Sequence, residues 1–369
     1  MALSLEEIRR YDRQILLPEL GLQGQQKLKQ AKVLVIGCGG LGSPVLLYLA
    51  AAGVGTLGIV EDDRISLSNL QRQILYSSDK IGKPKIDEAE KKLKALNPLV
   101  TIAKHEVRLS ADNALALIQK YDLVIDGTDN FPTRYLVNDA CVILDKPFVY
   151  GAIHRFEGQV ALFNYKGSST YRDLFPAPPP PEQAPNCSEA GVLGVLPGII
   201  GSMQALEAIK AITAIGEPLA GKLLMLDTLT MQSRTLKVPK IPDSPSIENL
   251  IDYEAFCGIR LNDEFQDNEI TYEQYLDLIA KPKINGESPF QLIDVREEYE
   301  FEMHNIGGEL MPLSEIEKHI PKIRRDKTVV IHCQSGIRSQ RAIDLLQERF
   351  GYTNLLNFAG GLNAISDTL

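Results

Sequence analysis

Lys32-Val33-Leu34-Val35-Ile36-Gly37-Cys38-Gly39-Gly40-Leu41-Gly42 is the stretch on which the fold turns. A short apolar run closes on a Gly-x-Gly-x-x-Gly loop, and Leu46, Leu47 and Leu49 then recur at helical spacing. Residues 56–60 make the next strand, which ends on Glu61. Strand, glycine loop, helix, strand and terminal acid form the dinucleotide-type half of a doubly wound α/β sheet. There the glycines let backbone approach a phosphate and the acid accepts ribose hydroxyls. Taken alone, such glycines most often mark NAD or FAD binding, and a tight turn with no ligand is the lesser alternative.

Working outward, a helix is expected over 84–96 with Pro84 as its first residue, and a strand near Ile102. A strand over 123–126, a helix over 130–144 and a strand over 148–151 follow. The second half changes character. Residues 158–164 alternate like an antiparallel strand, and the Pro-rich segment 176–185 suits neither helix nor central strand. A long helix over 196–215 and two strands within 222–238 come next. Residues 239–247, with three prolines, read as the start of a linker. The division expected is 1–239, a linker over 240–268, and a smaller α/β unit over 269–369 with strands at 291–294 and 328–331.

Composition narrows the function. The 369 residues are 44% hydrophobic and 24% charged, with a net charge of −9. That balance argues against a general nucleic-acid binder. No run of about 18 apolar residues suggests a membrane span. The opening Met1-Ala2-Leu3-Ser4-Leu5-Glu6-Glu7 is not of secretory type, and Ser4 with Glu7 reads as a helix capping box. Five scattered cysteines do not form a disulfide framework, so a reducing cytoplasm is the expected compartment.

Around the glycine loop stand more cations than a dinucleotide needs: Arg72, and Lys83 and Lys85 in Gly82-Lys83-Pro84-Lys85. A triphosphate, whose charge must be neutralised as pyrophosphate leaves, accounts for them better. No Walker-type P-loop is present. Asp126-Gly127-Thr128-Asp129-Asn130 closes a strand at the carboxyl edge of the sheet, where Asp129 is a candidate Mg²⁺ ligand. Alternatively, Asp129 and Asn130 only cap the following helix.

Five segments recur here in a familiar order: Arg10-Tyr11-Asp12-Arg13-Gln14, Gly37 to Gly42, Ser68-Asn69-Leu70-Gln71-Arg72-Gln73, Gly82 to Lys85, and Asp126 to Asn130. Over roughly residues 4–238 the chain resembles the MoeB/ThiF family, bacterial relatives of ubiquitin-activating enzymes. The resemblance implies a Rossmann-like mixed sheet and adenylylation of the C-terminal glycine of a ubiquitin-like sulfur carrier protein ending in Gly-Gly. It implies that Gly40, Glu61, Ser68, Asn69, Leu70, Gln71, Arg72, Lys85, Asp129 and Asn130 bind ATP and Mg²⁺. It also implies that Arg13 reaches the phosphates from the other subunit of a homodimer. The family more often has Asp where Glu61 stands. It usually carries two Cys-x-x-Cys pairs that hold a structural zinc. At the first location this chain reads Thr170-Tyr171-Arg172-Asp173, and 239–247 offers no second pair, so zinc is not expected.

Cys187 follows the Pro-rich segment and matches the family's loop cysteine, which bonds to the carrier or to a partner sulfur. Cys38 and Cys141 read as small buried residues, and Cys257 has no assigned role. Cys333 is the stronger thiol. It ends a buried-type strand, and Cys333-Gln334-Ser335-Gly336-Ile337-Arg338 leads into a helix. Converging backbone N–H groups, the helix N-terminus and Arg338 all favour an anionic sulfur there. With Leu292-Ile293-Asp294-Val295-Arg296 and His304-Asn305-Ile306-Gly307-Gly308, this loop resembles a single rhodanese domain over about 269–369. Gly360-Gly361-Leu362 fits that pattern, although the Trp common nearby is absent. Asp294, Arg296 and His304 read as structural supports.

Together the two resemblances imply an ATP-dependent adenylyltransferase and sulfurtransferase serving molybdopterin, thiamine or tRNA thiolation. Its sulfur donor would be a cysteine desulfurase or thiosulfate. Two other classes stay open on the residues: an NAD-dependent oxidoreductase with a rhodanese tail, and a non-catalytic scaffold for a ubiquitin-like protein. The first leaves Arg13, Arg72 and Lys85 idle, and the second leaves the ATP set unexplained.

Overall fold

A computed structural model of the chain describes residues 2–179, 191–242, 247–257, 268–282 and 287–366. They divide into two compact units, residues 1–260 and 261–369, each with its own sheet.

The first unit holds an eight-stranded sheet in the order β3-β2-β1-β4-β5-β6-β7-β8. Strands β1 (Lys32–Ile36), β2 (Thr56–Val60), β3 (Thr101–His105), β4 (Leu123–Asp126) and β5 (Phe148–His154) run parallel. Strands β6 (Glu157–Phe163), β7 (Lys222–Asp227) and β8 (Gln232–Lys237) continue antiparallel. Parallel pairing needs crossover helices, and these cover both faces, which is why β1 is apolar along its length rather than alternating. Val33 and Val35 pack on one face with Val45, Leu46 and Leu49 of the helix Gly42–Ala52. Leu34 and Ile36 pack on the other with Tyr135, Leu136 and Ala140 of the helix Phe131–Ile143. Strand order reverses beside β1, so the glycine loop opens at the switch point where ligands of such sheets bind.

Local chemistry sets the element ends. Ser4 and Glu7 form the expected capping box. Pro84 is not the first helical residue: it stays extended in a bridge to Arg64, and the helix starts one residue later, Lys85–Leu96. The long helix is Val195–Thr213, shorter than expected because Ala214 turns left-handed with φ 62°. It is long and apolar enough by composition to cross a membrane, but Leu196, Ile200, Ala205 and Ala208 are buried in the core, where the helix packs on β5 and β6. The all-exposed, polar β8 ends the sheet.

Residues 253–257, inside the stretch read as linker, belong to the first unit. The helix Tyr253–Phe256 buries Tyr253, and Cys257 joins the same core as Tyr135. The second unit has a five-stranded parallel sheet in the order β11-β10-β12-β13-β9. Its strands are β9 (Glu269–Ile270), β10 (Phe290–Asp294), β11 (Glu309–Leu310), β12 (Thr328–His332) and β13 (Leu355–Phe358). Ile293, Val329 and Ile331 pack against Ala342, Ile343 and Leu346 of the helix Ile337–Phe350. Val330 and Phe358 face Tyr275 and Phe290 on the other side.

Candidate functional site

The glycine loop is fixed at both ends and open in the middle. Gly37, at φ 83°, donates its N–H to the Val60 carbonyl at 2.8 Å. A Cβ on Gly42 would lie 2.0 Å from the Gly37 carbonyl oxygen, so only glycine lets the helix begin here. Between them, the N–H groups of Gly39 and Gly40 find no acceptor among the described residues. Two unspent donors at a helix N-terminus, on the carboxyl edge of the sheet, suit an anionic ligand.

Several of the expected residues gather around this loop. A Cβ on Gly40 would meet Pro197 at 3.3 Å and Arg72 Cδ at 3.5 Å, so the Arg72 side chain overhangs the glycines. Arg72 Nη1 is held by the Ser68 carbonyl at 3.0 Å. Asn69 spends its side-chain oxygen on the Ser66 N–H at 3.2 Å, which fixes the turn Leu67–Asn69. Leu70 and Gln71 take part through backbone: Leu70 N–H bonds Leu67, and a Cβ on Gly194 would strike the Gln71 carbonyl at 2.1 Å. Lys85 is buried, its ammonium hydrogen-bonded to the exposed Asp63 carboxylate.

Glu61 is more committed than a free ribose acceptor. Its Oε2 accepts from the Cys38 N–H at 3.0 Å and the Cys38 thiol at 3.4 Å, and its Oε1 accepts from the N–H groups of Asp62 and Asp63 at 3.1 and 3.0 Å. Behind Cys38, the Tyr76 hydroxyl lies 2.8 Å from the Cys38 carbonyl and 2.9 Å from its sulfur. Burial, then the nearby Glu61 carboxylate, pushes the Cys38 thiol well up from its ordinary value, so it stays a protonated donor.

At the end of β4 the two acids differ. Asp126 is fully buried, which raises its pKa, and its Oδ1 accepts from both the N–H and the hydroxyl of Thr128. Asp129 is exposed beyond it. Asn130 is the N-cap of Phe131–Ile143, accepting from Thr133 N–H at 3.0 Å, so its side chain does perform the capping role. Arg13 stands in solvent 3.9 Å from Asp12. Cys187 lies outside the described residues.

In the second unit Cys333 is fully buried at the end of β12. Its sulfur accepts from the Gly336 N–H at 3.2 Å and from the Ser339 hydroxyl at 3.5 Å. Gly336, at φ 88°, turns the loop into the helix Ile337–Phe350. The Gly360-Gly361 pair allows a close approach: a Cβ on Gly361 would lie 2.3 Å from the Cys333 carbonyl oxygen, and Leu362 N–H donates to that oxygen at 3.0 Å. Gln334 is tied to Asn363 at 2.7 Å, and Ile337 is exposed at the rim.

Supports surround this loop. Arg296 binds Asp294 at 2.7 Å, the His304 carbonyl at 2.6 Å and Gln334 at 3.4 Å. Arg338 is not the unshared charge expected at the mouth. Its guanidinium makes a two-pronged pair with Glu300 at 2.6 and 2.8 Å. Burial pushes the Glu300 carboxyl up, but the Arg338 hydrogen bonds and the Glu297 N–H outweigh it and hold the group below its usual range. His332, fully buried beside Asp294, is kept neutral, with a pKa lowered to about 4 chiefly by burial. Asp63, Tyr76 and Glu300 were not apparent from sequence, since each acts on a residue far along the chain.

Comparisons with known proteins agree with both ends. The ThiF family matches residues 11–246, and the rhodanese-like domain matches residues 271–368. A probable adenylyltransferase/sulfurtransferase MoeZ of Mycobacterium tuberculosis is 44% identical, covering 98% of this chain and 94% of its own length. A sulfur carrier protein adenylyltransferase of Thermus thermophilus is 53% identical over 70% of this chain and 100% of its own. An adenylyltransferase and sulfurtransferase MOCS3 of Anopheles gambiae is 41% identical over 100% and 88%. Among solved structures, E. coli MccB shares the fold of the first unit's kind at 22% identity, with a TM-score of 0.58 over 67% of this chain and 76% of that one.

Proposed function

The chain belongs to the ThiF family and carries a rhodanese-like domain behind it, and on that premise we propose that it activates a sulfur carrier protein with ATP and then gives it sulfur. The observation that carries this reading is the pairing, in one chain, of an open cationic glycine loop with a cysteine whose sulfur already accepts from a backbone N–H and a hydroxyl.

In the first step the carrier's terminal glycine carboxylate attacks the α-phosphorus of ATP, giving an acyl-adenylate and pyrophosphate. Gly39 and Gly40 donate to the phosphates from the helix N-terminus, and Arg72 with Lys85 offsets the charge that develops as pyrophosphate leaves. Arg13 of the partner protomer in a homodimer adds a further charge. Glu61, locked to the loop through Cys38, defines the ribose edge. Asp129, exposed at the carboxyl edge of β4, is the group that would hold Mg²⁺, which neutralises phosphate charge when bound.

In the second step a persulfide on Cys333, loaded by a cysteine desulfurase or thiosulfate, attacks the activated carbonyl. AMP leaves and an acyl-persulfide forms. The Gly336 N–H and Ser339 hydroxyl hold the Cys333 sulfur in place for loading. The Cys187 thiolate then attacks the Cys333 sulfur, releasing the carrier thiocarboxylate and leaving a Cys187–Cys333 disulfide. A dithiol reductant of the cytoplasm restores both thiols. The pathway served is molybdopterin, thiamine or tRNA thiolation.

Cys333→Ala tests the order of the steps. With thiosulfate as sole donor, the variant is expected to keep carrier-dependent ATP–pyrophosphate exchange and lose thiocarboxylate, read by mass spectrometry of the carrier. Thiocarboxylate persisting in the variant would remove Cys333 from the reaction.

A further inference from the structure

The family resemblance brings an expectation of structural zinc, and the residues that stand at its place do not fit one. A closed zinc site needs four nitrogen or sulfur ligands. Here Thr170 and Asp173 occupy the first pair's positions and are bonded to each other. Asp173 Oδ2 accepts from the N–H and the hydroxyl of Thr170 at 2.7 and 2.9 Å, capping the short helix Tyr171–Leu174. From residue 239 to 268 the chain offers one thiol, Cys257, and no histidine. Burial, then Glu254, raises that thiol to about 11, so it remains protonated.

The cation in this place belongs to the protein. Arg172 makes a two-pronged pair with the buried Asp139, Nε to Oδ1 at 2.7 Å and Nη2 to Oδ2 at 2.8 Å. Its guanidinium lies against two rings that meet edge to face, 4.9 Å from Tyr135 and 4.8 Å from Phe256. The Asp139 carboxylate is then filled by Asn138 Nδ2 and by the Tyr253 hydroxyl, both at 2.8 Å. A dication placed among these groups would meet a fixed positive charge and a carboxylate, Asp139, that already accepts four hydrogen bonds.

The connections made are those a zinc would make. Asp173 Oδ1 accepts from the Ile241 N–H at 2.9 Å, joining the first pair's location to the stretch where the second pair is expected. Arg172 joins the same short helix to Phe256 and, through Asp139, to Tyr253. The Tyr135 hydroxyl and Arg172 Nη1 also hold the Phe175 and Pro176 carbonyls, at 3.0 and 3.5 Å. The clasp thus anchors the root of the segment that runs on to Cys187.

We propose that Arg172, paired with Asp139 and packed against the Tyr135 and Phe256 rings, together with the Asp173–Ile241 bond, replaces the family's structural zinc in this chain. A buried ion pair of this kind holds its elements in place while intact and leaves an uncompensated buried charge when one partner is removed. The stacking and planar fork are specific to arginine, so lysine cannot stand in.

The test uses the full chain expressed in zinc-supplemented medium. Metal analysis of the purified protein is expected to find far less than stoichiometric zinc, and a strong chelator is expected to leave the thermal midpoint unchanged. Arg172→Met and Arg172→Lys are each expected to lower that midpoint by roughly 10 °C. One zinc per chain, or a midpoint that falls on chelation, would overturn the proposal even if the variants fail to fold. An unaltered midpoint in soluble Arg172→Met would overturn it as well. The proposal rests on the family reading for its expectation of zinc. Its failure shows in metal content and melting, whereas failure of the proposed function shows in ATP–pyrophosphate exchange.

Discussion

The Tyr76 hydroxyl, with the Ser43 hydroxyl beside it, holds the second residue of the glycine loop, and through Cys38 it reaches Glu61. Tyr76→Phe removes that hold with little change of shape. Loss of one hydrogen bond worth about 1 kcal/mol should lower the thermal midpoint by about 2–4 °C, and the loosened loop should raise KM for ATP by up to roughly fivefold, with kcat nearly unchanged. Steady-state ATP–pyrophosphate exchange checks it, and an unaltered KM would make Tyr76 ordinary packing. At this scale the chemistry-bearing residues were legible and their partners were not. Cys333 and the glycines announce themselves by local spacing. Tyr76, Asp63 and Glu300 act across folds of the chain, Glu300 on Arg338 for example, and nothing near them in sequence marks the pairing.

The decisive elements are the two strand-to-helix turns, β1 into Gly42–Ala52 and β12 into Ile337–Phe350. The first leaves the Gly39 and Gly40 N–H groups open, the second aims the Gly336 N–H at the Cys333 sulfur, and each depends on a glycine for a different reason. Gly336 supplies a left-handed turn, whereas Gly42 supplies close approach. Gly42→Ala should therefore cost on the order of 3 kcal/mol and abolish ATP binding, because its new Cβ meets fixed backbone. Gly82→Ala, at φ 81° with open space around it, should cost only about 1 kcal/mol from the left-handed conformation. Paired thermal unfolding and nucleotide titration separate the two, and equal effects would contradict the contact argument. Strand and helix types were readable from periodicity here. Ends were not where tertiary contact decided them, as at Pro84, held extended by Arg64, and at Ala214.

At the scale of the whole molecule, the chain joins two chemistries on two sheets, one that activates a carboxylate and one that carries sulfur. The parallel core, the antiparallel strand over 158–164 and two strands of the second sheet, β10 and β12, were readable from the alternation of apolar runs with helical spacing, whereas β9, β11 and β13 are too short to show a pattern. The docking of residues 253–257 on the first unit was hidden, because prolines and a low apolar content mask Tyr253 and Phe256 as linker. The same docking explains how the unit is closed with Arg172 where relatives are expected to use metal. The most direct measurement of the central claim is exchange of labelled pyrophosphate into ATP by the purified full chain, with carriers ending in Gly-Gly. Exchange that depends on one such carrier and disappears in Asp129→Ala is the result expected. ATP binding without carrier-dependent exchange, for every carrier tried, would contradict the account.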